Sequence, residues 1–161
     1  MRPEGTPVGH LQVLAVSVLA LLTAGCSFEP GKGARKNAGE KCLECHRTGG
    51  KADEYVHTFG GTTFPAVDAP LDGGVSGAEV VLRDARGVTV KVVANAVGNF
   101  WSDKAVAFPV SAEVRRGPAD GGKEAGAALA SPGPTCLTGN CNECHTLPPA
   151  GGARGRIAAP R

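Results

Sequence analysis

The sequence predicts a mainly β protein, a small antiparallel β-sandwich flanked by irregular or short-helical segments. Three observations lead to this fold class. The 161 residues include 24 Gly and 12 Pro but only 4% aromatic residues, which favours short strands and turns over a helical bundle. Valines alternate with other residues between positions 78 and 94, as in a half-buried strand. Two Cys-x-x-Cys-His pentapeptides flank this segment, one on each side.

Residues 78–94 predict a β-hairpin. Residues 78–83 form the first strand and residues 88–94 the second, because both stretches are rich in Val. Asp84 and Gly87 supply the turn chemistry between them. In the second strand one face is expected to be buried and the other exposed. The buried face would carry Val88, Val90 and Val92, and the exposed face would carry Thr89, Lys91 and Val93.

Further strands extend the predicted β module to residues 60–118. A second turn at residues 95–99 leads to Phe100 and Trp101, which are expected to close the core, and a Pro-led strand covers residues 108–115. Residues 119–135 are rich in Gly, Ala and Pro without periodicity, which predicts a linker.

The first 25 residues have the layout of a signal peptide. One early base, Arg2, precedes an uncharged apolar run over residues 11–22 and a small-residue stretch that ends at Cys26. The run is short for a bilayer crossing, so cleavage is favoured over retention as a transmembrane helix. Residues 22–26 resemble a bacterial lipobox, which would make Cys26 the acylated mature N-terminus. The alternative is a secreted protein in which Cys26 is an ordinary residue. Residues 26–41 are polar and Gly-rich, as in a flexible tether.

The two pentapeptides are typical of covalent c-type haem attachment. Two thiols at this spacing can bond the two vinyl-derived carbons at one edge of a porphyrin, and the adjacent His can then ligate the iron. We therefore predict two haem c groups, with haem-binding segments at residues 42–59 and 136–161. The predicted attachment residues are Cys42, Cys45 and the iron ligand His46, and Cys141, Cys144 and the iron ligand His145.

Two other readings of the cysteine pairs stay open. Four Cys could form a structural zinc site, and a small exported domain could instead use the pairs in disulfides. Both readings leave the two adjacent His unexplained. Cys136 is left without a role once the four pentapeptide cysteines are assigned. It could be a buried thiol, pair with an unlipidated Cys26, or form an intermolecular disulfide.

The sixth iron ligand is restricted by composition. The only Met is Met1, within the predicted signal peptide, so Met from the mature chain cannot ligate either iron. His57 is the only His of the expected mature chain outside the pentapeptides, and it is the candidate distal ligand. Its alternative is an ordinary loop His. The second iron has no further His, which leaves a haem-based sensor or small-ligand binder as a rival function.

Two resemblances extend these predictions. The run over residues 77–115, with its Gly-Asn-Phe turn and Pro-led strand, resembles the carboxypeptidase regulatory-like or transthyretin-like β module, which implies a scaffold without catalytic residues. The order of segments along the predicted mature chain resembles that of small exported cytochromes of metal-reducing bacteria. The residues that carry this resemblance are the two pentapeptides, residues 59–62 and the Gly-Arg-Ile sequence at residues 155–157. That resemblance implies electron transfer with other redox proteins, membrane electron donors or extracellular acceptors.

Charge and residue content exclude other function classes. The net charge is only +2, with acids and bases mixed, so nothing resembles a nucleic-acid-binding face. No acid–base pair or nucleophile constellation indicates an enzyme, and dihaem peroxidases are much longer chains. The sequence therefore predicts an electron carrier in the periplasm or on the outer membrane, anchored by lipid. A structural or adhesion lipoprotein with zinc- or disulfide-linked cysteine pairs is the third alternative.

Overall fold

The computed structural model describes residues 37–115, 129–130 and 137–160. The predicted signal peptide, Cys26, most of the tether, most of the linker and Cys136 lie outside these residues. Within them the chain is mainly β, as predicted, with two small sheets and a few short helices. Its elements are α1 (Cys42–Cys45), a 3-10 turn (Asp53–Tyr55), β1 (Phe59–Phe64), β2 (Glu79–Arg83), β3 (Thr89–Val93), β4 (Asn99–Ser102), β5 (Ser111–Arg115), β6 (Leu129–Ala130), α2 (Cys141–Cys144) and β7 (Ile157–Ala158).

The predicted hairpin forms the centre of a four-stranded sheet. Strands pair in the order β3-β2-β5-β6, and β2 is antiparallel to both β3 and β5. Asp84 organises the turn between β2 and β3, since its carboxylate accepts backbone N–H bonds from Arg86, Val88 and Ala107. Burial opposes ionisation of Asp84, but these bonds and the Arg86 side chain outweigh it and lower the pKa to about 2.

Three details of the strand predictions were wrong. Val88 is 47% exposed, because β3 begins only at the next residue and Val88 belongs to the turn. Trp101 is 39% exposed while Phe100 is 1% exposed, since neighbours along a strand point to opposite faces. The strand predicted from residue 108 begins at Ser111, after the cis bond between Phe108 and Pro109.

A second, three-stranded sheet has the order β4-β1-β7. Its central strand β1 is antiparallel to β4 and parallel to β7, which comes from the end of the described chain. Sequence analysis did not identify β1 as a strand. Its sequence, Phe-Gly-Gly-Thr-Thr-Phe, lacks the alternation of a half-buried strand, because all six of its residues are buried.

Residues of both sheets share one hydrophobic cluster. Phe59 and Phe100 come from the three-stranded sheet, and Val80, Leu82 and Val90 from the four-stranded sheet. Burial of such side chains contributes roughly 1.5–3 kcal/mol each. The cluster also includes Cys141, so the second pentapeptide is attached to the core itself.

Two valines of β3 test this description of the core. Val90→Ala is expected to lower the free energy of unfolding by about 2 kcal/mol, because it removes buried methyl groups and leaves a cavity. Val93→Ala removes the same atoms from a side chain that is 51% exposed, so we expect a loss of about 0.5 kcal/mol or less. Urea unfolding of the two variants measures both values. Equal losses would contradict the burial of Val90.

Candidate functional site

The two pentapeptides have the same backbone conformation. Each Cys-x-x-Cys forms a single helical turn, and the following His ends it by donating its N–H to the first Cys carbonyl, at 3.0 Å for His46 and 3.1 Å for His145. The φ and ψ angles are −91° and 52° at His46 and −86° and 57° at His145. Two segments about a hundred residues apart therefore form one repeated local structure.

The repeat extends beyond the helical turns. The carbonyl of the second cysteine accepts an N–H bond of 3.0 Å in both copies, from Ala52 to Cys45 and from Ala150 to Cys144. The first cysteine of each copy donates its thiol to the carbonyl two residues earlier, at 3.6 Å, to Glu40 from Cys42 and to Gly139 from Cys141. Each pentapeptide is thus held by contacts on both sides of it.

Both imidazoles are oriented by a backbone carbonyl. Nδ1 of His46 lies 2.9 Å from the Tyr55 carbonyl oxygen, and Nδ1 of His145 lies 2.9 Å from the Gly155 carbonyl oxygen. Because a carbonyl can only accept, Nδ1 is the donor in each ring. In the neutral ring this leaves the lone pair on Nε2, the arrangement found where a His ligates a metal.

Both helical turns pack against the glycine pair of β1. A Cβ built on Gly60 would lie 3.2 Å from the Cβ of Cys42, and a Cβ built on Gly61 would lie 3.0 Å from the Cβ of Cys141. Successive residues of a strand face opposite sides. Thus α1 approaches β1 from one side and α2 from the other. The structure brings together the two predicted sites, which stand at opposite ends of the described chain.

A buried amide links the two sites. Asn142, between the cysteines of the second pentapeptide, is 1% exposed. Its Nδ2 donates to the Glu40 carbonyl at 2.7 Å and to Thr62 Oγ1 at 3.2 Å, and its Oδ1 accepts from the Thr62 N–H at 3.1 Å. Thr62 Oγ1 in turn donates to Asn99 at 2.8 Å. Sequence analysis gave neither Asn142 nor Thr62 a role, and Thr62 appeared only as part of the sequence at residues 59–62.

His57 lies beside His46. The two rings are stacked with centroids 4.1 Å apart, and His57 also stacks on Trp101 at 5.7 Å. The backbone N–H of His57 donates to the backbone carbonyl of His46 at 2.9 Å. Burial, and then the neighbouring His46, lower the pKa of His57 and favour its neutral form.

This geometry bears on the predicted distal role of His57. A sixth ligand would have to reach the iron from the side opposite to His46. His46 and His57 instead share a backbone hydrogen bond and stacked rings. Ligation of the His46 iron by His57 would require the segment around residue 57 to move, so the role stays a prediction that the arrangement does not favour.

The cysteines bear on the zinc and disulfide alternatives. Within the described residues, no group of three or more His, Cys, Asp and Glu side chains could hold a metal ion, so the four pentapeptide cysteines do not converge on one zinc site. Cys45 takes part in a disulfide, and a sulfur in a disulfide cannot also form a thioether. Cys42 and Cys144 are free thiols, so this disulfide does not join the two cysteines of the first pentapeptide. Burial raises the pKa of the Cys42 thiol to about 11, so this group is protonated at neutral pH.

Apolar side chains are exposed close to the residues that contact the two imidazoles. Tyr55, whose carbonyl orients His46, is 63% exposed, and the adjacent Val56 and Trp101 are also exposed. Near His145, Val67 is exposed and contacts the position where a Gly155 side chain would begin.

No family model, curated protein or solved structure matches the chain. None of the helices in the part of the chain that the structure describes is long and apolar enough to cross a membrane.

Gly61 tests the close approach of α2 to β1. In Gly61→Ala the new Cβ would lie 2.7 Å from Cζ of the buried Phe100 ring and 3.0 Å from the Cβ of Cys141, so we expect a loss of about 1–3 kcal/mol in the free energy of unfolding. The control is Gly73→Ala, whose nearest atom would be 3.4 Å away. Urea unfolding compares them. An equally mild effect at both positions would contradict the packing at Gly61.

Proposed function

We propose that this chain is a dihaem c-type cytochrome that transfers electrons outside the cytoplasm. The observation that carries the proposal is the pair of Nδ1 hydrogen bonds to the Tyr55 and Gly155 carbonyls, because they leave Nε2 of each imidazole as a ligand. A disulfide or zinc role for the neighbouring cysteines gives no reason for two His oriented in the same way. Thioethers would come from Cys42, Cys45, Cys141 and Cys144, and iron ligation from His46 and His145.

The residues of the chain fit two covalently bound haems. Haem supplies the one-electron chemistry, and the protein supplies attachment, orientation and surroundings. The helical turns keep each pair of cysteines on one segment, the carbonyls fix the imidazoles, and the exposed Tyr55, Val56 and Trp101 offer apolar surface to a porphyrin. The disulfide at Cys45 and a thioether at Cys45 exclude each other, so haem attachment requires the reduced thiol.

We also propose that the two sheets pack as a β-sandwich. The shared cluster of Phe59 and Phe100 with Val80 and Leu82 supports this, because each sheet contributes apolar side chains to it. In this proposal the sandwich is a scaffold for the haem segments. The lipid anchor at Cys26, a periplasmic or outer-membrane location, and redox proteins or extracellular acceptors as partners rest on the sequence alone.

Haem content tests the leading proposal. The mature protein, made in cells with cytochrome c maturation, is expected to carry two haem increments in its denatured intact mass and to stain for haem. The paired variants Cys42→Ala/Cys45→Ala and Cys141→Ala/Cys144→Ala should each lose one increment, because each removes both thioethers of one site. Cys136→Ala is the control and should keep both. A mass without haem would leave the structural or adhesion lipoprotein as the better reading.

The position of His57 favours a second candidate function, a haem protein that binds a small ligand. With His57 stacked on His46 and bonded to its carbonyl, the first iron would be without this side chain as a sixth ligand unless the segment around residue 57 moved. An iron with an open position can bind carbon monoxide, oxygen or nitric oxide. The same open position is compatible with electron transfer, so the two functions differ in ligand binding rather than in haem content.

The number of carbon monoxide molecules that the reduced protein binds gives the number of irons with an open sixth position. We expect the reduced protein to bind the same number of carbon monoxide molecules in the wild type and in His57→Ala, because His57 does not face the iron-ligating side of His46. Visible spectra during titration measure the stoichiometry. One additional molecule in His57→Ala would instead assign His57 as a sixth ligand. No binding in either protein would discard the ligand-binding function.

A further inference from the structure

The two attachment segments share one strand as their support. Gly60 meets Cys42 and the next residue, Gly61, meets Cys141, so only the thickness of β1 separates the first cysteines of the two sites. An isolated parallel bridge joins Gly60 to Asn140, and the Gly60 N–H donates to the Gly139 carbonyl at 2.9 Å. The backbone just before the second pentapeptide is therefore bonded directly to β1.

These contacts limit the separation of the sites. Adjacent Cα atoms are about 3.8 Å apart, so the contacts at Gly60 and Gly61 hold the Cβ atoms of Cys42 and Cys141 within about 13 Å of each other. Each of these cysteines would bond one edge of a porphyrin. The bonded edges of the two groups thus start from neighbouring points of one strand.

Asn142 adds a direct hydrogen bond between the two attachment segments. Its amide reaches the Glu40 carbonyl, two residues before Cys42, from a position next to Cys141. The corresponding residue of the first pentapeptide is Leu43, which has no amide to offer. The second segment therefore donates this hydrogen bond to the first, and the first segment donates no equivalent bond from Leu43. The same Asn142 amide belongs to a buried network with Thr62.

We propose that β1 and Asn142 hold the two haems as a coupled pair that exchanges electrons inside the protein. This inference rests on the proposed function and concerns the relation between the sites. In the exchange one electron moves from a ferrous to a ferric iron, so one iron is oxidised as the other is reduced and no bond forms or breaks. Asn142 and Thr62 are positioning residues, since they act through the segments that they hold.

Circular dichroism in the Soret band tests the pairing. Two nearby porphyrins give a band of two opposite signs, because their transitions interact, whereas isolated haems give additive single bands. We expect the matured wild-type protein to show this two-signed band. Cys42→Ala/Cys45→Ala and Cys141→Ala/Cys144→Ala, with one haem each, should lack it. A wild-type spectrum equal to the sum of the two single-haem spectra would overturn the inference. A protein without haem would overturn the proposed function instead, and intact mass tells these results apart.

Asn142→Leu tests the positioning role. We expect it to keep both haems by mass and to reduce the two-signed band by about two-fold or more, because a loosened support misplaces the groups it holds. The matched control, Leu43→Ala in the other pentapeptide, should keep the band within about a fifth of the wild-type amplitude, since Leu43 lacks such a bond. Redox titration gives a second readout, as the separation of the two midpoint potentials should change in Asn142→Leu only. An unchanged band and unchanged potentials in Asn142→Leu would remove Asn142 from the proposal.

Discussion

The close approach of two helical turns to one strand is the constraint on which the rest of the arrangement depends. Side chains at Gly60 or Gly61 would meet cysteine Cβ atoms at 3.2 and 3.0 Å, so the lack of a Cβ at these two positions lets both turns lie this close to the strand without displacement. With the turns in these positions, Asn142 bonds Thr62 and the Glu40 carbonyl. Strand β1 also pairs with β4 and β7 to form the three-stranded sheet. The glycines weaken β1 as an isolated strand, and the contacts on both of its faces offset that weakness.

The parts predicted from sequence are those determined by neighbours along the chain. The β2–β3 hairpin follows from its valines and from Asp84 and Gly87, since a strand pattern and a turn are local features. The spacing also places His46 and His145 directly after their cysteines, but the orientation of the rings comes from the Tyr55 and Gly155 carbonyls, which the spacing does not predict. The errors at Val88 and Trp101 are local: Val88 lies in the turn before β3, and Trp101 points away from the buried face of its strand neighbour Phe100.

The parts that sequence did not predict depend on residues far apart along the chain. Thr62 and Asn142 are 80 positions apart, and Arg156 donates to the Ala69 carbonyl across 87 positions. No periodicity marks such pairs, and β1 itself gives no alternation because both of its faces are covered. The link between the two candidate sites could therefore not be derived from the pentapeptides alone, although the Gly-Gly-Thr run lies at its centre.

The two pentapeptides have the same backbone conformation but different surroundings. Under the proposed function, this difference would give the two irons different environments. The acceptor of His46 is the carbonyl of the exposed Tyr55, whereas His145 donates to the buried Gly155. Arg156 anchors that second acceptor, since its N–H and its Nε donate to the Val67 and Ala69 carbonyls at 2.8 and 2.6 Å. A carbonyl shielded from water accepts a stronger hydrogen bond, and a stronger bond at Nδ1 makes the imidazole a more basic ligand. Two irons held by the same local structure would then differ in potential, and an electron shared between them would have a preferred site.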